Sequence, residues 1–278
     1  MSELSIKPKI GVIAGFGDFP REVCERARKK GYEISLCGVE GEASPELESL
    51  ADNMVWVKLG EIGKLLRFFN RQNVDQAILC GKIHKVNILG GKVLPDLDAV
   101  KMLAGIRNFK DDSLLEAFCG YIEKRGVKVI DSTSFLKDAL LDSGVLTRSK
   151  PSRAQEDDME FGFKMAKEIA GLDIGQTVIV KNKSVVAVES VEGTDEAILR
   201  GGKLADKGAV AVKVAKPNQD MRFDVPTIGP STIESCIRAK ISLLAFEAGK
   251  TIVLHPEQVI KVANENGIIL VAYTSQRG

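Results

Sequence analysis

The feature that most constrains the fold lies near the start of the chain. Residues Lys9-Ile-Gly-Val-Ile-Ala14 form a short apolar run rich in β-branched side chains. The run ends in Gly15-Phe16-Gly17-Asp18-Phe19-Pro20, and a helix-compatible stretch follows from Arg21 to Lys30. A strand that feeds a glycine turn and then a helix opens an α/β unit, because the helix folds back over the sheet and returns the chain parallel to its first strand. The alternation continues. Strands are expected at Tyr32–Gly38, Met54–Val57, Asp75–Cys80 and Val127–Ile130, and helices at Ile62–Arg71, Asp98–Ile106 and Asp112–Lys124. Within the first of these helices Ile62, Leu65, Leu66 and Phe69 recur at helical spacing. The first half therefore reads as a Rossmann-like, mostly parallel sheet domain.

The pattern breaks at residues 142–155, DSGVLTRSKPSRAQ, which lack apolar periodicity and contain Gly144 and Pro151. The expected organisation is a first domain over 1–145, a linker over 146–155 and a second domain over 156–278. The second half reads as α+β with a mixed sheet. A helix is expected at Glu156–Ala170, then a hairpin of Gln176–Val180 and Val185–Glu189 around Lys181-Asn182-Lys183-Ser184. A strand at Ala209–Val214 and a long helix at Ile233–Ala248 follow. Thr251–Leu254, Pro256–Asn266 and Ile268–Tyr273 complete a β-α-β end.

Composition narrows the function classes. With 39 Lys plus Arg against 38 Asp plus Glu in 278 residues, the net charge of +1 excludes the broad cationic surface that drives sequence-independent nucleic-acid binding. The five cysteines, Cys24, Cys37, Cys80, Cys119 and Cys236, are scattered without a C-x-x-C pair, so neither a disulfide framework nor a structural zinc site is expected. No apolar run approaches the ~20 residues of a membrane-spanning helix, and a cytoplasmic location is expected.

Several residues carry candidate chemistry. Gly15 and Gly17 flank a turn that reads either as an anion cradle at a helix N-terminus or as a tight structural turn. Pro20 falls where a third glycine of a dinucleotide fingerprint would stand, so dinucleotide chemistry is not expected. Lys82 and His84 follow a strand near the edge where open α/β sheets bind ligands; Lys82 suits a phosphate, whereas His84 reads as a surface histidine. Lys110-Asp111-Asp112-Ser113 reads first as a helix cap and second as a holder of ribose hydroxyls or a hydrated cation. Gly193, Thr194 and Asp195 lie between a strand and a helix, where backbone amides and a hydroxyl face a ligand or simply close the turn.

The densest constellation runs from Lys213 to Gly229. If residues 220–224 are extended, Asp220, Arg222 and Asp224 project from one face, with Lys213 and Lys216 upstream. Two carboxylates around a guanidinium read as a metal-and-phosphate site or as a solvated edge strand with an internal salt bridge.

At these residues the sequence resembles the UDP-2,3-diacylglucosamine pyrophosphatases of the LpxI type, which serve lipid A synthesis. The likeness runs along nearly the whole chain. It includes Gly11-Val-Ile-Ala-Gly-x-Gly17, Gly60-Glu-x-Gly-Lys64, Lys110-Asp-Asp-x-Leu-Leu115 and Leu172-Asp-Ile-Gly-Gln176. It continues through Val186-Ala-Val-Glu-x-x-Glu-Gly-Thr-Asp195, Lys216-Pro-x-Gln219 and Arg222-x-Asp-x-Pro-Thr-Ile-Gly229. The resemblance implies a two-domain hydrolase that splits the substrate diphosphate with water, giving UMP and 2,3-diacylglucosamine 1-phosphate. It also implies a divalent cation, Mg²⁺ or another such as Mn²⁺.

The family's essential acidic residue falls on Asp224, which is expected as catalytic group and metal ligand, with Asp220 as its helper. Arg222 and Lys213 are expected to offset phosphate charge. Gly15, Gly17, Lys82, Asp111, Gly193, Thr194, Asp195, Gln219 and Thr227 are expected substrate-binding positions. The implied partners are the lipid-linked UDP-sugar, the inner-membrane surface in transient contact, and a second copy in a homodimer; no nucleic acid is expected. An apolar groove for the acyl chains has candidates in Met102, Leu103, Leu243, Leu244 and Phe246, which core packing explains equally well. A hydrolase of another nucleotide diphosphate sugar and a non-catalytic nucleotide-sugar binder are the alternatives.

Overall fold

The computed structural model describes residues 7–84, 95–104 and 111–275, with nothing stated of the side chains of Asp111 and Asp112. The chain divides into two compact units, Met1–Leu136 with Asp220–Asp224, and Lys137–Gln219 with Val225–Gly278. The expected boundary at 145 therefore differs in two ways. The first unit ends at Leu136, and a short stretch from the second half of the sequence belongs to it.

The first unit holds a five-stranded sheet in the order β3-β2-β1-β4-β5. Its strands are β1 (Lys9–Ala14), β2 (Glu33–Val39), β3 (Asn53–Val57), β4 (Gln76–Cys80) and β5 (Lys128–Val129). Every pairing is parallel, as the strand–helix alternation predicts. The helices are α1 (Phe19–Lys29), α2 (Ile62–Gln72), α3 (Leu97–Leu103) and α4 (Asp111–Glu123). The expected continuation of the third helix to Ile106, and Lys110 of the expected cap, lie outside the described residues. Leu65, Leu66 and Phe69 of α2 pack with Cys119 and Ile122 of α4 in one core cluster, so the helical spacing read from the sequence marks the buried face.

The direction of strand addition reverses between β1 and β4, and open parallel sheets bind ligands outside the carboxyl ends of strands at such a point. Here the two turns that leave β1 and β4 are laced together. The Gly15 N–H donates to Cys80 O at 2.9 Å, the Phe16 N–H to Lys82 O at 2.7 Å, and the Lys82 N–H to Phe16 O at 2.9 Å. A Cβ on Gly15 would stand 2.4 Å from Lys82 O. Glycine is required here by the close approach of two backbones. Gly15→Ala is thus expected to force the turns apart and to cost about 1–3 kcal/mol, the range for overpacking. An unchanged urea midpoint would show that the turns separate freely.

The second unit holds a six-stranded sheet in the order β6-β13-β11-β9-β7-β8. These are β6 (Gly144–Val145), β7 (Thr177–Lys181), β8 (Ser184–Val188), β9 (Val210–Lys213), β11 (Leu243–Glu247) and β13 (Ile269–Tyr273). The central β9, β11 and β13 are parallel to one another, β6 pairs antiparallel with β13, and β7 pairs antiparallel with both β9 and β8. The expected mixed sheet is what forms. A separate parallel pair joins β10 (Thr227–Ile228) to β12 (Ile252–Val253). Helix α5 (Arg153–Gly171) contributes Met159, Phe163 and Ala166 to the core on one face. On the other face lie α6 (Thr194–Ala205), α7 (Pro230–Arg238) and α8 (Pro256–Glu265), which contribute Ala197, Ile198, Ile233 and Val259.

Three expectations are corrected. The stretch Ile233–Ala248 is not one long helix. It is α7, a turn in which Lys240 takes a left-handed φ of 52°, and the fully buried strand β11. A continuous apolar run fits a central strand as well as a buried helix, and periodicity does not separate them. Leu243, Leu244 and Phe246 are consequently sheet core, each 0% exposed, and line no acyl groove. The expected linker also begins inside the fold: β6 pairs with β13, and the Leu146 N–H donates to Leu270 O at 2.9 Å. All five cysteines are free and buried.

Candidate active site

The carboxyl edge of the first sheet gathers residues from distant parts of the sequence. The turn after β1 presents Gly17, at φ 101° with open space around its Cα, and the turn after β4 presents the exposed Lys82. The amides of Gly15 and Phe16 are committed to the β4 turn, so the anion-cradle reading of this loop loses two of its donors. Gly15 builds the edge and Gly17 remains open on it.

The stretch Asp220–Asp224 docks at the same edge, beside the carboxyl end of β5. The Ser132 N–H and Oγ–H both donate to Met221 O, at 3.0 and 2.8 Å. From β1 to β5 is two strand spacings, roughly 10 Å. Phe223 is 3% exposed and belongs to the core cluster of α2 and α4, which anchors the stretch. The backbone is a turn and not the expected extended strand, so Asp220, Arg222 and Asp224 do not share one strand face. Instead Asp220 folds back on Arg222. Its Oδ1 accepts from the Arg222 backbone N–H at 2.9 Å, and Arg222 Nη2 donates to Oδ2 at 2.7 Å. Arg222 Nη1 also reaches Glu123 at 3.3 Å.

These hydrogen bonds hold the Asp220 carboxyl below the usual carboxylate range and raise the Arg222 guanidinium. A carboxyl depressed in the folded state contributes stability above its unfolded pKa, and that contribution is lost as pH falls through the depressed value. The wild-type melting temperature is thus expected to fall below about pH 4, more steeply than that of Asp220→Asn. Equal slopes in a thermal titration would remove Asp220 from the acid response.

Asp224 is exposed between buried Phe223 and Val225 and takes φ 52°. Asp and Asn are enriched in this left-handed region relative to other residues that carry a Cβ. The last residue of the docked stretch thus turns its carboxylate outward while its neighbour is buried in the core.

The second unit carries its own polar row at the carboxyl end of β9. Lys213, 3% exposed, donates from Nζ to Thr194 Oγ1 at 2.7 Å, and Thr194 Oγ1 donates to Glu189 Oε1 at 2.8 Å. Lys213 lies opposite Thr177 in the β7–β9 register. Among the described residues the buried Thr177 Oγ1 has no hydrogen-bond partner. Gly193, at φ 87°, precedes α6 and sets Thr194 and Asp195 in its first turn. The row therefore joins Lys213, Thr194 and Glu189 beside a helix N-terminus, where the dipole favours anionic groups. Glu189 was assigned no role from sequence, because only the pairing of β7 with β8 and β9 shows where it stands.

The remaining candidates have contacts of their own. Gln219 closes a turn on Lys216, accepting its N–H at 3.3 Å, while Lys216 Nζ meets Asp173 at 2.8 Å. Thr227 Oγ1 donates to Val225 O at 3.0 Å. Asp111 begins α4, and its side chain lies outside the described residues.

The family model for the LpxI N-terminal domain matches residues 9–139, and that for the LpxI C-terminal domain matches 142–271. The chain belongs to the LpxI family. A similar curated protein is the UDP-2,3-diacylglucosamine pyrophosphatase LpxI of Caulobacter vibrioides. It is 29% identical over 281 residues, which cover 96% of this chain and 98% of that one. Among solved structures, a glycinamide-RNase-transformylase T from Mycobacterium tuberculosis aligns at 12% identity and TM-score 0.25, over 65% of this chain and 44% of that one. An N5-carboxyaminoimidazole ribonucleotide synthetase in complex with ADP aligns at 16% identity and TM-score 0.28, over 84% and 45%. Both scores are too low to bear on the fold or function of this LpxI family member.

The donor set of this LpxI chain bears on a divalent cation. Among the described residues no group of three or more His, Cys, Asp or Glu side chains is placed to hold a metal ion. Both Asp220 oxygens accept from Arg222. Asp224 presents the outward carboxylate. Mg²⁺ is commonly held by one or two carboxylates together with substrate phosphates and waters. The residues present fit a cation that the substrate helps to hold, and not a cage built by the protein alone.

Proposed function

We propose that this chain is a UDP-2,3-diacylglucosamine pyrophosphatase that uses water to split the substrate diphosphate into UMP and 2,3-diacylglucosamine 1-phosphate. The observation that carries this reading is the match of both LpxI domains along residues 9–139 and 142–271. The outward carboxylate of Asp224 in the Arg222-x-Asp-x-Pro-Thr-Ile-Gly229 stretch supports it.

A divalent cation, Mg²⁺ or Mn²⁺, supplies charge neutralisation at the non-bridging phosphate oxygens when bound, and its first ligand from the protein is Asp224. Asp224 also accepts a proton from, or orients, the attacking water. Arg222, fixed by Asp220 and Glu123, holds the backbone that aims Asp224. Lys213 offsets phosphate charge, with Thr194 fixing its ammonium. Lys82, the open Gly17, Gly193 and Asp195 bind substrate. Asp111, Gln219 and Thr227 stay in this reading as substrate-binding positions carried by the family motifs. The substrate is a bilayer lipid, so the reading includes transient contact with the cytoplasmic face of the inner membrane and a cytoplasmic location. Among the described residues no helix is long and apolar enough to cross a membrane. A homodimer is the proposed assembly.

The test is release of UMP from UDP-2,3-diacylglucosamine in mixed micelles by the purified chain with Mg²⁺, stopped by EDTA and restored by excess Mg²⁺. Undiminished release in EDTA would remove the cation from the reaction. Plain UDP-N-acetylglucosamine added as competitor separates the reading from a general nucleotide-sugar hydrolase, since it should compete weakly. Tight substrate binding with no product at any cation concentration would leave a binding protein.

A further inference from the structure

One group on the carboxyl edge of the first sheet has no part in the chemistry above. Phe16, at the tip of the β1 turn, is 51% exposed, an unusual position for a large apolar ring. Its ring meets the His84 imidazole edge-on, with centroids 4.6 Å apart and planes at 63°. His84 is held from behind by Glu42, whose side chain is buried. Glu42 Oε1 accepts the His84 backbone N–H at 3.0 Å, and Oε2 stands 2.7 Å from His84 Nδ1. In the neutral imidazole a carboxylate facing Nδ1 favours the tautomer with its proton there, which leaves Nε2, on the far side of the ring, an acceptor. The pair stands at the β1/β4 switch point, beside Gly17, which is open to close approach. An exposed aromatic face next to an oriented hydrogen-bond acceptor suits a planar heterocycle that has a ring N–H donor.

We propose that Phe16 and His84 form the subsite for the uracil base of a uridine nucleotide, with Phe16 stacking on the base and His84 Nε2 accepting its N3–H. The assignment rests on the pyrophosphatase reading for the identity of the nucleotide. Uracil carries a donor at N3, whereas cytosine carries an acceptor there. Glu42 therefore acts as a positioning residue, because it sets the tautomer that tells the two bases apart.

The experiment is calorimetric binding of UMP and of CMP to the full-length chain and its variants. The wild type is expected to bind UMP about 10-fold more tightly than CMP, the scale of one hydrogen bond with an unpaired alternative. His84→Ala should erase that preference. Glu42→Gln, whose amide donates to Nδ1 and moves the ring proton to Nε2, should erase or reverse it. Phe16→Ala should weaken both nucleotides about 10-fold, within the range for loss of base stacking, and Phe16→Trp should retain them. Phe16 and His84 are exposed side chains, so their truncation opens no core, and thermal midpoints check the fold of each variant.

An unchanged UMP/CMP ratio in His84→Ala, or unchanged UMP affinity in Phe16→Ala, overturns the subsite. If UMP binding follows these changes while UDP-2,3-diacylglucosamine is not hydrolysed, the subsite stands and the reaction falls. If hydrolysis proceeds with an unaltered KM in Phe16→Ala, the reaction stands and the subsite falls.

Discussion

Asp224→Asn is expected to slow UMP release by about 100- to 1,000-fold, the range for removing one preorganised electrostatic group from a reaction centre, with little change in the melting temperature. The backbone makes asparagine the right replacement. Asp224 sits at φ 52°, a conformation that Asn shares at little cost and that strains alanine by about 1 kcal/mol or more. Asp224→Ala thus mixes loss of charge with a disturbance of the turn, whereas Asp224→Asn removes charge alone. Single-turnover UMP release and equilibrium substrate binding separate the effects, with binding near normal and the chemical step slow. Release at the wild-type rate would show that another group carries the reaction.

Lys213→Met carries the second largest expected effect, a loss of about 100-fold in kcat/KM. Lys213 is 3% exposed, and its ammonium is anchored on Thr194 Oγ1 at 2.7 Å. Burying a cation is costly unless its neighbours compensate, and Thr194 with Glu189 supplies part of that compensation. Methionine fills a similar volume without charge, so the fold should persist. Thr194→Val should lower kcat/KM about 10-fold by releasing the ammonium, and destabilise by about 1–3 kcal/mol because two buried polar groups lose a shared partner. Thr194→Ser keeps the hydroxyl and should stay near wild type in both assays. Normal kcat/KM in Lys213→Met would limit the row to a structural role.

The outcome at the glycine turn shows how a motif can be correct in place and incomplete in meaning. Gly15-x-Gly17 does leave β1 at the switch point of a parallel sheet, as the strand–turn–helix order implies. Yet Gly15 is glycine because Lys82 O lies where its Cβ would be. The β4 turn that imposes this contact is more than 60 residues away in sequence. His84 illustrates the same point. As a lone histidine it reads as surface, and only the buried Glu42 behind it gives the ring a fixed orientation.

The chain's local order was set by the sequence itself. Strands β1 to β4, the hairpin of β7 and β8, and the closing β-α-β follow from apolar period and turn residues, since these act between neighbours along the chain. The family motifs likewise stand in the sequence as written. What the tertiary structure decided is where separate stretches meet. It made 243–247 a central strand, set Glu189 and Thr177 beside Lys213, and packed Phe223 against residues about a hundred positions earlier. Burial and hydrogen-bond satisfaction are settled by partners remote in sequence, and a one-dimensional pattern does not carry their positions.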